Sequence, residues 1–317
     1  MKQFLSCDWG TSSFRLKLVE VENLRTVADV QNDSGIISTN ENWRKIDKDQ
    51  SRFLFYASVI SSAISTLEKK VGHSLSGVPV ILSGMASSSL GMVQLPYKQL
   101  PFRTDGSDLN VERIKTSKEF GHDVFIISGV CSTTDVMRGE ETQLVGSVEG
   151  NSDADAIYIL PGTHSKHIVV NDGIARDFKT YMTGEIFSLL SKNSTLSEAV
   201  TETSGASKDT NVEAFAEGVR NSQNSNILNS LFRTRTRFLL DKLKPESNRS
   251  YLSGLLIGSE VRELLKVKTE KIVVVSSGMG DHYKVAMQTL NVEASISVVS
   301  DLDVAIKGQL RIVSHMQ

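Results

Sequence analysis

Phe14, Leu16 and Leu18 alternate with Arg15 and Lys17, which predicts a strand with one buried face. An apolar run over residues 3–8 precedes it and ends at Asp8. From 51 to 70, Phe53, Leu54, Ala57, Ile60, Ala63, Ile64 and Leu67 recur at helical spacing and form one apolar stripe. Val78–Leu82 and Val124–Ile127 are short continuous apolar runs, as expected of strands covered on both faces. Each run ends in small residues, Ser83-Gly84 and Ser128-Gly129, and helical spacing resumes over Glu140–Val148.

The order then restarts. Ala156–Leu160 predicts a strand, Gly162-Thr163 a turn, Ile168–Val170 a second strand, and Asn171-Asp172-Gly173 a turn into Ile174–Tyr181. Helical patterns fill most of 184–266, most clearly 227–240 and 251–265. Ile272–Val275 is another buried strand, followed by a small-residue turn and a helix; Ser295–Val299 and a last helix from about Asp301 close the chain. Serine, glycine and asparagine cluster at 192–211 and 221–226, which predicts surface loops. Hairpin strands followed by helices and strands, twice over, predict a repeated α/β architecture. A boundary near 153 divides it into lobes 1–153 and 154–317, with the last helix expected to pack back on the first lobe.

The repeat is also visible at single residues. Residues 9–18, WGTSSFRLKL, and 161–170, PGTHSKHIVV, share the pattern G-T-x-S-x-x-[L/I]-x-[L/V], with Gly10 and Gly162 separated by 152 positions (162 − 10). A turn of this kind offers backbone N–H groups and hydroxyls to a phosphate, through Gly10, Thr11, Ser12 and Ser13 or through Gly162 and Thr163. Taken singly it is also how an ordinary hairpin is made. Two matched copies at equivalent places favour a shared role, in which facing lobes grip one polyphosphate. Asp8, at the end of a strand and just before the first turn, is placed to hold Mg²⁺ directly or through water. The second turn carries His164, Lys166 and His167; Lys166 either meets a phosphate as a point charge or lies exposed on its strand.

Composition narrows the partners. The 317 residues are 39% hydrophobic and 23% charged, enough apolar material for folded cores, and the net charge of −2 comes without a basic block. Nucleic acid and anionic membrane are therefore not expected as partners. Cys7 and Cys131 have no metal-ligand spacing and read as free buried thiols of a reducing, cytoplasmic protein. A secretion signal needs roughly 7–15 apolar residues, and only Phe4 and Leu5 precede Ser6-Cys7.

Two further stretches carry chemistry. Ser276-Ser277-Gly278-Met279-Gly280 comes after a buried strand and offers a floor of small residues for a nucleotide base and ribose. Neither G-x-G-x-x-G nor G-x-x-x-x-G-K-[S/T] is completed, which disfavours a dinucleotide fold and a P-loop. Arg138-Gly139-Glu140-Glu141 gathers opposite charges at a helix start. The acidic pair either complements the helix dipole or supplies a carboxylate that orients or deprotonates an attacking hydroxyl.

Together these segments resemble the phosphate-1, phosphate-2 and adenosine motifs of the actin, Hsp70 and sugar-kinase superfamily. More narrowly, DWGTSSFR, SGMASSSLGMVQLPY, DVMRGEETQ, LPGTHSKH and MTGEIFSLL resemble the 2-dehydro-3-deoxygalactonokinase family, in order along nearly the whole chain. The resemblance implies a two-lobed, actin-like ATPase (ribonuclease H-like) α/β fold with duplicated βββαβαβα-type domains. It implies ATP-dependent phosphorylation of the terminal hydroxyl of 2-dehydro-3-deoxygalactonate, in galactonate breakdown, with Mg²⁺. Asp8 would place magnesium and phosphate, Gly10, Thr11, Gly162, Thr163, His164 and Lys166 would hold phosphates, and Gly278, Met279 and Gly280 would sit under adenosine. Among carboxylates, anchoring the Gly-Glu-Glu stretch on the following leucine favours Glu141 over Glu140 as base. The sugar acid would contact Met85, Ser87 and Glu185, and an arginine would bind its carboxylate, with Arg138 preferred over Arg15 and Arg103. A homodimer is the expected assembly. Competing readings are a kinase of another sugar, an exopolyphosphatase-like hydrolase on the same fold, and a non-catalytic sugar-sensing module.

Overall fold

The computed structural model describes residues 1–46, 51–148, 155–201, 211–223 and 226–316. The chain divides into two compact units: Met1–Ala154 with Asn171–Asp177 and Asp301–Gln317, and Asp155–Val170 with Phe178–Ser300.

The first unit opens with three strands, β1 (Gln3–Trp9), β2 (Phe14–Glu20) and β3 (Thr26–Asn32), then helices α1 (Ile36–Lys45) and α2 (Arg52–Val71). After β4 (Val80–Gly84) come a 3₁₀ turn at Met85–Ser87 and the short strands β5 (Lys98–Gln99), β6 (Phe102–Arg103) and β7 (Val111–Ile114). Next are β8 (Val124–Ile127), β9 (Val130–Cys131), β10 (Val136–Met137) and α3 (Glu140–Ser147). The main sheet runs β3-β2-β1-β4-β8-β7. β1 is antiparallel to β2 and parallel to β4, which is parallel to β8. Phe14, Leu16 and Leu18 face inward while Arg15 is exposed, the alternation expected of β2. Their side chains pack with Trp9, Tyr56, Ile60 and Leu67 into one core, where each fully buried large side chain contributes roughly 1.5–3 kcal/mol.

The second unit repeats the order. It has β11 (Ala156–Leu160), β12 (Ser165–Asn171), β13 (Ile174–Tyr181) and α4 (Thr183–Lys192), then α5 (Val212–Asn221), α6 (Ile227–Leu240) and α7 (Pro245–Val261). β14 (Lys271–Val275), α8 (Gly280–Thr289) and β15 (Ser295–Val299) complete it, and α9 (Val304–Ser314) belongs to the first unit. Its strands lie in the order β15-β14-β11-β12-β13, with β11 antiparallel to β12 and parallel to β14. The strand order 3-2-1-4-5 thus occurs twice, which is the actin-like, ribonuclease H-like arrangement. The first two residues of β13 pair with β6, and all four paired residues belong to the first unit.

Three local expectations change. Residues 85–123 of the first unit carry no helix longer than the 3₁₀ turn, where alternation with helices was expected. The helix expected over 251–265 begins at Pro245, where proline's fixed φ suits a first helical position, and Arg262–Lys266 winds as 3₁₀. Within the loop expected over 192–211, Ser197–Val200 is a 3₁₀ turn with Ala199 and Val200 buried, Val200 packing with Leu252 and Leu256 of α7; 202–210, 224–225 and the 153/154 boundary lie outside the described residues.

Candidate active site

Asp8 lies near the end of β1, opposite Arg15 in the β1–β2 register, and Arg15 Nη1 is 3.2 Å from its Oδ2. Burial among neighbouring atoms pushes the Asp8 carboxyl up; Arg15 opposes this, and the charge of Glu140 adds to it. About 35% of the side chain remains open to solvent, so water moderates that shift. Beside Asp8, β4 ends at Gly84 with φ 82°. A Cβ there would stand 2.8 Å from the Trp9 carbonyl oxygen and 3.3 Å from Asp8 Oδ1. Gly139, with φ 109°, also comes close to Gly84, its absent Cβ 3.3 Å from the Gly84 Cα. These two glycines let the segment before α3 approach the Asp8 strand end.

That approach brings in the acidic pair. Glu141 is fully buried, and both its oxygens accept from the Gly139 N–H, at 2.9 and 2.8 Å. Burial, with the Glu140 charge next, raises its pKa to about 7 against opposing hydrogen bonds from backbone and Thr142. Glu140 is only half-buried and accepts from the Arg138 N–H at 2.9 Å. Arg138 Nη1 donates to the carbonyl and hydroxyl oxygens of buried Ser87, at 2.7 and 2.6 Å, and its guanidinium stacks 4.2 Å from the Tyr97 ring centroid. Asp8, Arg15, Ser87, Arg138, Glu140 and Glu141 therefore form one cluster, with Met85 in the 3₁₀ turn just after Gly84. Arg103 lies apart on β6, exposed and paired with Asp105 at 3.1 Å. Tyr97 and Gly84 sit within the SGMASSSLGMVQLPY stretch, yet neither residue type marks a site without its tertiary neighbours.

The two G-T turns are built alike. Gly10 N–H closes the first turn on the Ser13 carbonyl at 2.9 Å, and the α1 amide of Ile37 donates to the Thr11 carbonyl at 3.2 Å. In the second turn the α4 amide of Glu185 donates to the Thr163 carbonyl at 2.9 Å. Each helix start also carries a glycine against the turn. A Cβ at Gly35 would lie 2.4 Å from the Ser12 backbone, and one at Gly184 would lie 2.3 Å from the Gly162 carbonyl. Thr11, Ser12, Gly162, Thr163 and His164 are exposed. His164 Nε2 is 2.5 Å from Glu185 Oε2, which places that predicted sugar contact beside the second turn. Lys166 is 3% exposed, so the alternative of an exposed strand residue falls away; Nζ donates to the His164 carbonyl at 3.3 Å.

At the third segment the Ser276 hydroxyl accepts from the Met279 N–H at 3.0 Å. Gly278 has open space where a side chain would go, whereas a Cβ at Gly280 would lie 2.3 Å from Val298. Packing alone accounts for that second glycine. Among the described residues, no three His, Cys, Asp or Glu side chains form a metal cage. A single carboxylate beside the first G-T turn would suit Mg²⁺ instead, since that ion commonly keeps waters and substrate phosphates as ligands.

The sequence model of a family described as 2-keto-3-deoxy-galactonokinase matches residues 8–312. The chain belongs to the 2-keto-3-deoxy-galactonokinase family. A 2-dehydro-3-deoxygalactonokinase of Escherichia coli (strain K12) is 27% identical over 323 residues, covering 99% of this chain and 98% of its relative. A Rhizobium meliloti (strain 1021) protein, provisionally named as the same enzyme, is 28% identical over 97% of this chain and 95% of its own. A crystal structure from Sinorhizobium meliloti, also provisionally assigned as a 2-dehydro-3-deoxygalactonokinase, superposes with a TM-score of 0.80 at 25% identity. It covers 98% of this chain and 95% of that one. This member of the 2-keto-3-deoxy-galactonokinase family is a sugar-acid kinase that uses ATP.

Proposed function

We propose that the chain transfers the γ-phosphoryl group of ATP to the terminal hydroxyl of 2-dehydro-3-deoxy-D-galactonate, in galactonate breakdown. The observation that carries this is the match of the family over residues 8–312, which spans every segment of the candidate site. Asp8 holds Mg²⁺, which would supply charge neutralisation at the phosphates. Amides and hydroxyls of Thr11–Ser13 in the first unit, and of Gly162–His164 in the second, bind phosphate oxygens. Gly10, its N–H spent on Ser13, shapes the first turn, and buried Lys166 adds positive charge behind the second. Gly278 and Met279, both exposed, support adenosine, and Gly280 lets α8 pack against Val298 behind them. Met85 lies on the sugar side, while Glu185, paired with His164, belongs to the second turn. Arg138, braced by buried Ser87 and by Tyr97, presents its other guanidinium edge to the substrate carboxylate.

For the proton of the attacking hydroxyl, Glu140 is the better placed carboxylate. It is partly exposed, whereas Glu141 has no surface and spends both oxygens on the Gly139 amide. Glu141 then shapes the segment that presents Glu140. A coupled ATP-consumption assay over a panel of 2-keto-3-deoxy sugar acids tests the function, with the galactonate derivative expected to be turned over best. Equal phosphate release without any acceptor would favour a hydrolase, and preference for another sugar would move the substrate.

Two attributes belong to the same reading. The site of action is the cytoplasm, where ATP is available; among the described residues no helix is long and apolar enough to cross a membrane, and fractionation of cells tests the location. The assembly is a homodimer, supported by Leu228, Phe232 and Leu239, exposed along one face of α6. A single sedimenting species of 34.8 kDa would overturn it.

A further inference from the structure

In the second unit a carboxylate is buried where nothing in the proposed chemistry needs one. Glu260, in the last turn of α7, is 3% exposed, and four side chains converge on it. Oε1 accepts from the Ser165 hydroxyl at 2.6 Å and lies 2.8 Å from His167 Nε2. Oε2 accepts from the Thr183 hydroxyl and from the Tyr283 hydroxyl, the latter at 2.9 Å. Tyr283 also reaches Ser165, at 3.2 Å. A carboxylate offers about four lone-pair positions, and all four are taken here.

The places these partners come from give the network its meaning. Ser165 is the residue directly after the Gly162–His164 turn, and His167 comes next but one on β12. Thr183 starts α4 and precedes Gly184, whose missing Cβ lets the helix abut the Gly162 carbonyl. Tyr283 stands in the first turn of α8, just after Gly278–Gly280. A buried carboxylate surrounded by hydroxyls is a poor source of stability compared with apolar packing of similar volume. A fully satisfied network does, however, specify one geometry for the segments it joins. We propose that Glu260 is a positioning residue, the common anchor that holds the second G-T turn and the Gly278–Gly280 turn in the arrangement that binds nucleotide. This rests on the reading that those two turns contact ATP; Glu260 itself, being buried, touches no ligand.

The test uses Glu260→Gln, Tyr283→Phe and Thr183→Val in the full chain. Glutamine keeps the size but has one acceptor oxygen and turns an NH₂ group toward hydroxyls that need an acceptor. Glu260→Gln is expected to raise KM for Mg-ATP by about tenfold or more, while KM for the sugar acid at saturating ATP stays within about twofold. Calorimetry with a non-hydrolysable ATP analogue and Mg²⁺ is expected to give a matching loss of affinity. Tyr283→Phe and Thr183→Val each remove one donor and should move the same constants less, by roughly two- to fivefold. Those two variants carry the test if Glu260→Gln fails to fold. Lower melting temperatures with unchanged nucleotide constants would mean a purely structural network and overturn the proposal. If the unaltered chain phosphorylates no sugar acid yet loses nucleotide affinity on Glu260→Gln, the kinase reading fails and the anchor stands. If the unaltered chain binds no nucleotide, both fall.

Discussion

Glu140 and Glu141 are neighbours in sequence with opposite surroundings. Glu140 is the partly exposed member of the pair. On the proposed role, Glu140→Gln is expected to lower kcat by ~10²–10⁴ with the fold retained, and Asp8→Asn to do likewise at saturating Mg²⁺. Steady-state kinetics check both, and near-normal turnover in either variant removes its assigned role. Glu141 makes a different prediction, about stability. Its pKa is raised in the folded chain from 4.5 to about 7, so the folded state binds the proton that the unfolded state has lost. This group therefore favours folding below about pH 4.5 and progressively less as pH rises to about 7. Relative to Glu141→Gln, which cannot ionise, the natural chain should lose on the order of 3 kcal/mol across that window. Urea titrations of both proteins at pH 5 and pH 8 measure the difference. A constant gap between them would mean that Glu141 does not titrate there.

At the scale of elements, both G-T turns depend on the helix after the third strand of their unit. A glycine at each helix start lets α1 and α4 press an amide onto the turn's threonine carbonyl. Gly184→Ala would put a methyl group 2.3 Å from the Gly162 carbonyl and 2.9 Å from the Thr163 Cα, both backbone atoms that cannot step aside cheaply. The expected cost is about 1–3 kcal/mol of stability, together with a raised KM for ATP as the turn shifts. Gly121→Ala, where no atom lies within 4 Å, is the control and should stay within about 0.5 kcal/mol. Thermal melts and ATP titrations of the pair decide it; equal behaviour would show that the helix start does not hold the turn.

Across the whole molecule the two units share a scaffold and, on the proposed reading, differ in the chemistry they carry. Position for position on the G-T pattern, Asp8 corresponds to Leu160, so only the first unit carries the strand-end carboxylate. The arginine and the acidic pair belong to that unit as well. The second unit keeps the turn and adds the Glu260 network. Substrate selection should then depend on first-unit residues. Arg138→Lys keeps the charge and loses the two-pronged donor geometry, so kcat/KM for the sugar acid should fall by about 2–4 kcal/mol in transition-state terms, with little change for the matching neutral sugar. Should the unaltered chain use the neutral sugar as well as the acid, recognition of a carboxylate is wrong and a general sugar kinase describes it better.

Periodicity along the chain was sufficient for the repeated α/β order, because alternation at two residues and stripes at 3.6 are set by backbone geometry alone. The duplicated G-T turns, Asp8 at a strand end and the family motifs are likewise local, and each was readable in the chain itself. The choice between Glu140 and Glu141 was not. Successive helical residues point about 100° apart, and which of them turns inward depends on how α3 beds against α9, where Gly308 comes so near Thr142 that a side chain could not fit. Lys166 could have lain exposed on its strand; only the fold shows that β12 is buried on both faces from Ser165 to Ile168. Glu260 had no local mark at all within its apolar helix. Its four partners stand 95, 93, 77 and 23 residues away, and only folding the second unit makes them neighbours.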